Sequence, residues 1–264
     1  MPITVPSHLP IPADGPAVVP AATVVVFRHG AAGGPPELLM LQRAQEMRFA
    51  GGAAVFPGGR VDPADRELAM RLMPGDAEEL AAGRIAAIRE TLEESGLLIA
   101  TRSRIEPAQA AEARRMLVEG QTMAAVLDHY GWELMPEALV LYAHWCPLFD
   151  KAFDTRFFVT DLGTGAVDVT VDATENTRLF WASAADALAM ADRREITIIF
   201  PTRRNLERLA QFASFAEVLA DIAAHPVARV HPEIKPRQDG DWLLIPEGHG
   251  YPVRGQPKAT ALRG

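Results

Sequence analysis

The chain has 264 residues, 48% of them apolar and 23% charged, with a formal net charge of −8 at neutral pH. This is the composition of a globular protein able to bury a substantial core, and the negative balance excludes broad nonspecific binding to nucleic acid. A lone cysteine, Cys146, excludes an internal disulfide and a cysteine-rich metal site, and reads as a small buried hydrophobe rather than a nucleophile.

Pro2, Pro6, Pro10, Pro12 and Pro16 crowd the start, and no lysine or arginine precedes Arg28. Residues 1–16 are therefore expected as an extended arm without the basic start of a secretory signal. The longest apolar run, Ala17 to Phe27, contains Pro20 and is too short to span a bilayer, so the expectation is a cytoplasmic protein with no membrane partner. Ala22–Phe27, Glu37–Gln42 and Ala53–Phe56 are short β-rich runs separated by glycine and proline. Glu79 to Ser95 follows helical periodicity, and Leu97 to Ala100 is expected to open another strand after Gly96. The alanine-rich stretch 108–130 predicts two short helices broken near Gly120, a helical insertion at about 107–130.

Strands are then expected at Ala138–Trp145, Thr155–Asp161 and about Thr177–Trp181. Helices follow at Ser183–Ala191, Thr202–Phe212 and Ser214–Ala224, with Ser183 and Ser214 as N-caps. The main domain is thus placed at 17–224 with extra C-terminal helices. Residues 225–264 are expected as an irregular tail in which Trp242 to Ile245 form one strand or pack against the body. Mixed strands and helices imply an α/β or α+β sandwich.

The segment Phe56–Leu98 carries the chemistry. It joins FPGGRVDPAD to AAIRETLEESGLL and so places Glu90, Glu93 and Glu94 on one helix. With Glu90 at about 0°, Glu93 falls near 300° and Glu94 near 40°, while Ile85, Ile88 and Leu92 lie at roughly 160–220°. The three acids share the face opposite the apolar stripe, which a solvated helix face also explains. Against that reading, like charges at this spacing repel by about 0.2–0.5 kcal/mol per pair. Acids in a last turn before Gly96 also meet the wrong end of the helix dipole, at a further cost of about 0.3–1 kcal/mol. A hard cation such as Mg²⁺ or Mn²⁺ would reverse both penalties.

Arg89-Glu90-Thr91-Leu92-Glu93-Glu94-Ser95-Gly96-Leu97 resembles the second half of the Nudix hydrolase signature: a glycine, five residues, a glutamate, seven residues, then R-E-(apolar)-x-E-E-x-G-(apolar). Thr91 departs from it at an apolar position. Strict spacing would put Gly75 at the first glycine and Ala81 at the first glutamate, which fails. Taking Gly59 as the first glycine puts Asp65 at the acid and leaves a 16-residue insertion before Arg89, with Glu67, Glu78 and Glu79 as other candidates for that acid. The runs from Leu38 to Asp65, Phe153 to Phe158 and Pro201 to Ser214 are similar to the Nudix 19-like subgroup, which hydrolyses coenzyme A and acyl-CoA.

The resemblance implies a Nudix α/β/α sandwich with a mixed sheet and an enzyme that is a Mg²⁺- or Mn²⁺-dependent diphosphatase. The reaction it implies first converts CoA or acyl-CoA to 3′,5′-ADP and (acyl-)4′-phosphopantetheine. Hydrolysis of ADP-ribose, dinucleotides or nucleotide sugars is the alternative, and a non-catalytic binding module stands third. Glu90 and Glu94 are the implied metal ligands, Glu93 a further ligand or the base, and Arg89 the residue that orients them. Glu175 is the candidate for a base from a later loop, its alternative being an exposed strand-end acid. Gly58 and Gly59 would let the backbone approach metal or phosphate. Arg43, Arg48, Arg60 and Arg156 are substrate-phosphate candidates, although scattered arginines are usually surface groups. The seven histidines show no metal-ligand spacing. The partner expected is a small nucleoside diphosphate derivative, with a homodimer as the expected assembly.

Overall fold

In the computed structural model the described residues are 18–29, 33–45, 50–147, 153–163 and 176–261. A mixed eight-stranded sheet forms the centre. Its strands are β1 (Val19–Arg28), β2 (Glu37–Arg43), β3 (Ala54–Val55), β4 (Gly58–Arg60), β5 (Val140–Trp145), β6 (Phe153–Asp161), β7 (Asn176–Ser183) and β8 (Arg229–Val230). The main path runs β3-β2-β1-β6-β5-β8, with β4 joined to β1 and β7 to β2. The β1–β6 and β5–β8 pairs are parallel and the others antiparallel.

Strand β1 shows why the sheet sits between helices. Ala22, Val24 and Val26 enter one core, whereas Val25 and Phe27 enter the other, so a period of two fills both faces with apolar side chains. On the first face lie α1 (Pro63–Leu72), α2 (Glu78–Ser95), α3 (Pro107–Val118) and α4 (Met123–Tyr130), with Ile85, Ile88 and Leu92 of α2 meeting Leu39 and Phe158. On the second lie α5 (Ala184–Asp192), α6 (Phe200–Leu209) and α7 (Phe215–Ala224). The result is the expected α+β sandwich of three layers. Ser183 and Ser214 cap α5 and α6's successor α7 by accepting from Asp186 N and Glu217 N at 3.1 and 3.3 Å.

Three expectations need correction. Leu97, Leu98 and Ile99 form no strand: all three are buried among the helices of the first core, and only Thr101 makes a bridge, to Leu134. Residues 63–72, inside the apparent insertion, form a helix that periodicity did not predict. Its signal was local, namely Asp62 followed by Pro63 at N1, where a missing N–H costs nothing and φ is already helical. The segment after His225 is not irregular. Strands β9 (Glu233–Arg237), β10 (Gly240–Leu244) and β11 (Gly255–Pro257) form a separate antiparallel sheet, followed by α8 (Lys258–Ala261). Residues 1–16 lie outside the described residues.

Helix α6 ties this last sheet to the body. Arg204 donates from Nη2 to Glu207 and Gln256 at 2.8 and 3.1 Å, and Arg208 donates from Nε to Asp221 of α7 at 2.8 Å while lying over the Tyr142 ring. Tyr251 accepts from Trp145 Nε1 at 2.7 Å and donates to Asn205 Oδ1 at 2.8 Å, in full burial. The PTRRNLERLAQFAS run therefore acts largely as a structural clamp. Replacing Tyr251 with Phe removes one hydroxyl and orphans both partners, which is expected to cost about 1–3 kcal/mol in urea unfolding. A loss below about 0.5 kcal/mol would show that the clamp is not stabilising.

Candidate active site

Strand β4 brings the glycine pair against β1, with Thr23 opposite Gly58 and Ala22 opposite Gly59. A Cβ at Gly58 would lie 2.3 Å from the Ala22 carbonyl oxygen, and one at Gly59 would lie 2.2 Å from Glu90 Oε1. Gly58 abuts backbone and admits no side chain, whereas a side chain at Gly59 would have to displace the Glu90 carboxylate. Gly58 N–H also donates to Glu94 Oε2 at 3.0 Å. The glycine turn and the last turns of α2 thus meet face to face.

Arg89 organises the acids. Its Nε and Nη2 donate to the two oxygens of Asp65 at 3.0 and 2.9 Å, and Nη2 also reaches the Arg60 carbonyl at 3.0 Å. Its Nη1 donates to Glu90 Oε1 at 2.9 Å and to Glu93 Oε1 at 3.1 Å. Asp65 in turn accepts from Asp62 N–H at 2.9 Å at the start of α1. A bidentate pair with one partner 1% exposed is a rigid anchor. Burial opposes the Arg89 charge, but the Asp65 hydrogen bonds, with Glu90 and Glu93, raise its pKa above the ordinary arginine value.

Of the four candidates for the early acid, Asp65 is the one that pairs with Arg89. Asp65 faces Arg89, whereas Glu67 is exposed and Glu78 and Glu79 pair with Arg66. The apparent insertion is the body of α1, a turn, and the first turns of α2. Thr91, the departure from the apolar pattern, is fully buried because its hydroxyl donates to the Ala87 carbonyl at 2.7 Å. Gly96 ends α2 at φ 70°, donating its N–H to Leu92 O.

The acids do not form a solvated face. Glu94 is buried, and the Glu90 side chain is 17% exposed and Glu93 27%. Burial, with Glu93 adding to it against the pull of Arg89, pushes the Glu90 carboxyl up to about 7. Among the described residues no three His, Cys, Asp or Glu side chains gather into a preformed ion cage. The donor set nonetheless fits a hard divalent cation, because it is all carboxylate oxygen.

The other candidates separate. Arg60 contributes its carbonyl to Arg89 while its side chain is exposed. Arg43 ends β2 at a bulge, half-buried, with Nε unpaired. Arg156 has a buried guanidinium 3.6 Å from Asp154 and 3.8 Å from Glu79, near the first turn of α2. Arg48 and Glu175 lie outside the described residues. His144 pairs with Asp154 at 2.7 Å, and burial pushes the Cys146 thiol up to about 11, so neither offers a nucleophile. No helix among the described residues is long and apolar enough to cross a membrane.

Fold and site together resemble those of Nudix hydrolases, enzymes that act on pyrophosphate bonds and generally need divalent metal ions. The chain resembles the acyl-coenzyme A diphosphatase NUDT19 of Gallus gallus, with 27% identity over 82% of this chain and 73% of that protein. It is also similar to the crystal structure of a Nudix hydrolase from Alicyclobacillus acidocaldarius, at a TM-score of 0.67 and 29% identity, covering 78% of this chain and 96% of that one. No protein-family profile matches the chain.

The raised Glu90 value gives a signed expectation. Between its ordinary 4.5 and about 7 the folded protein binds more protons than the unfolded chain, so metal-free stability falls as pH rises through that window. Glu90→Gln should therefore stabilise the metal-free protein at pH 8 by on the order of 2 kcal/mol, with the gain vanishing near pH 4.5. Thermal unfolding at both pH values measures it, and a gain of equal size at both would refute the burial of a charged Glu90.

Proposed function

We propose that this protein is a metal-dependent diphosphatase that cleaves CoA or acyl-CoA to 3′,5′-ADP and (acyl-)4′-phosphopantetheine. The observation that carries the reading is the Arg89 hub, which gathers Glu90 and Glu93 on one guanidinium beside Glu94 and the glycine turn. The likeness to an acyl-CoA diphosphatase supports the substrate.

Glu90 and Glu94 would hold Mg²⁺ or Mn²⁺, leaving Glu93 to act as the base. Bound there, the cation supplies Lewis-acid activation of water and neutralises phosphate charge. The chain does the rest. Arg89, fixed by Asp65, keeps two carboxylates at set positions, so little reorganisation is left to the reaction. The bare Cα atoms of Gly58 and Gly59 let the turn lie directly against β1 and the Glu90 carboxylate. Glu93, the most exposed of the three, takes the proton of the attacking water as the P–O–P bridge breaks. One product leaves as 3′,5′-ADP and the other as the phosphopantetheine.

Incubation with Mn²⁺ and a panel of CoA, acyl-CoAs, ADP-ribose, NADH, diadenosine polyphosphates and nucleoside triphosphates, with products identified by mass, tests this. CoA or acyl-CoA should yield 3′,5′-ADP, and Glu94→Gln should lose at least about 100-fold in kcat. Turnover of ADP-ballasted substrates such as ADP-ribose without CoA would overturn the substrate alone. Equal activity of Glu94→Gln would overturn the site.

A further inference from the structure

The helices α3 and α4 pack beside α2, and one of their side chains reaches its end. We propose that Arg114 of α3 is a positioning residue for the carboxylate cluster, clamping the last turn of α2 and with it the peptides that carry Glu93 and Glu94. This rests on the functional reading above and adds a residue from outside the signature.

Helix α2 ends on acids with no basic residue in its last turn. Its final carbonyls carry partial negative charge and need donors. Two donors come from the helix itself: Ser95 Oγ donates to Thr91 O at 2.6 Å, and Gly96 N–H to Leu92 O at 2.9 Å. For Glu93 the donor comes from another element, since Arg114 Nε donates to Glu93 O at 2.7 Å. A charge-assisted bond there brings a cation to the negative end of the helix, where the sequence of α2 provides none.

The reach is fixed by packing. Ala113, Met116 and Leu117 of α3 are buried in the same core as Ile88 and Leu92 of α2, which sets the distance between the two helices. The neighbouring Arg115 makes the contrast: it is exposed and pairs within its own helix with Glu112 and Glu119. Adjacent arginines thus have different tasks, one on the surface and one on the acid helix. A hydrogen bond to the Glu93 carbonyl restrains the backbone from which both terminal glutamate side chains project, while Arg89 restrains the Glu93 carboxylate. Loss of the first leaves the second to hold a fraying turn.

Arg114→Met, Arg114→Lys and wild type, compared by hydrogen exchange, by Mn²⁺ binding in electron paramagnetic resonance and by steady-state kinetics, test the proposal. Arg114→Met should speed exchange of amides 94–97 at least about 10-fold while the first turns of α2 stay protected, and weaken Mn²⁺ binding about 5-fold. It should lower kcat about 10-fold with KM changed less than about 2-fold. A lysine ammonium sits one bond beyond the position of arginine Nε, so Arg114→Lys should recover most of each loss. Wild-type exchange at 94–97 in Arg114→Met, uniform acceleration along α2, or a lysine variant as impaired as methionine would overturn the clamp. Failure of wild type to turn over any diphosphate would instead sink the functional reading, and the exchange pattern would still decide the role of Arg114.

Discussion

The buried bidentate pair between Arg89 and Asp65 is the constraint on which the acid cluster depends. Three glutamates on adjacent turns of one helix repel each other and oppose its dipole, so their convergence needs a fixed positive charge. Arg89 supplies it from within the same helix, but a guanidinium that served only Glu90 and Glu93 would be free to swing. Asp65 takes two of its N–H groups and the Arg60 carbonyl shares one, which leaves Nη1 aimed at the glutamates. The compensation is incomplete. Burial still pushes the Glu90 carboxyl up to about 7.

The pair also explains how helix α1 belongs to the site. Asp65 stands in its first turn, braced by the Asp62 N–H, while Leu68 and Ala69 anchor α1 in the core that α2 shares. The residues between Asp65 and Arg89 therefore form a helical hairpin that carries the early acid back to its arginine. On the other side of the sheet, Arg204 of α6 fastens β11 through Gln256, and Arg208 ties α6 to Asp221 of α7.

Much of this was legible in the chain. The acid spacing, the Gly96 stop and the FPGG turn identify the helix and its facing loop because each rests on short-range geometry. The strands of the central sheet were legible for the same reason, through period-two patterning and glycine or proline boundaries. What the chain hid was long-range. Whether Asp65, Glu67, Glu78 or Glu79 meets Arg89 depends on how α1 packs on α2, which no local pattern encodes. Arg156 reads like Arg60 as a sequence position, yet one is buried among acids and the other lies on the surface. After His225 only the apolar run Trp242–Ile245, which overlaps β10, was legible as a strand; β9 was missed because it is exposed along its whole length and offers no apolar alternation.

A double-mutant cycle on Asp65→Asn and Arg89→Gln, read as unfolding free energy, tests the central constraint most directly. Each single change leaves a buried partner uncompensated and should cost about 3–5 kcal/mol, while the double change should cost well below the sum. Additivity of the two losses to within about 0.5 kcal/mol would contradict the account.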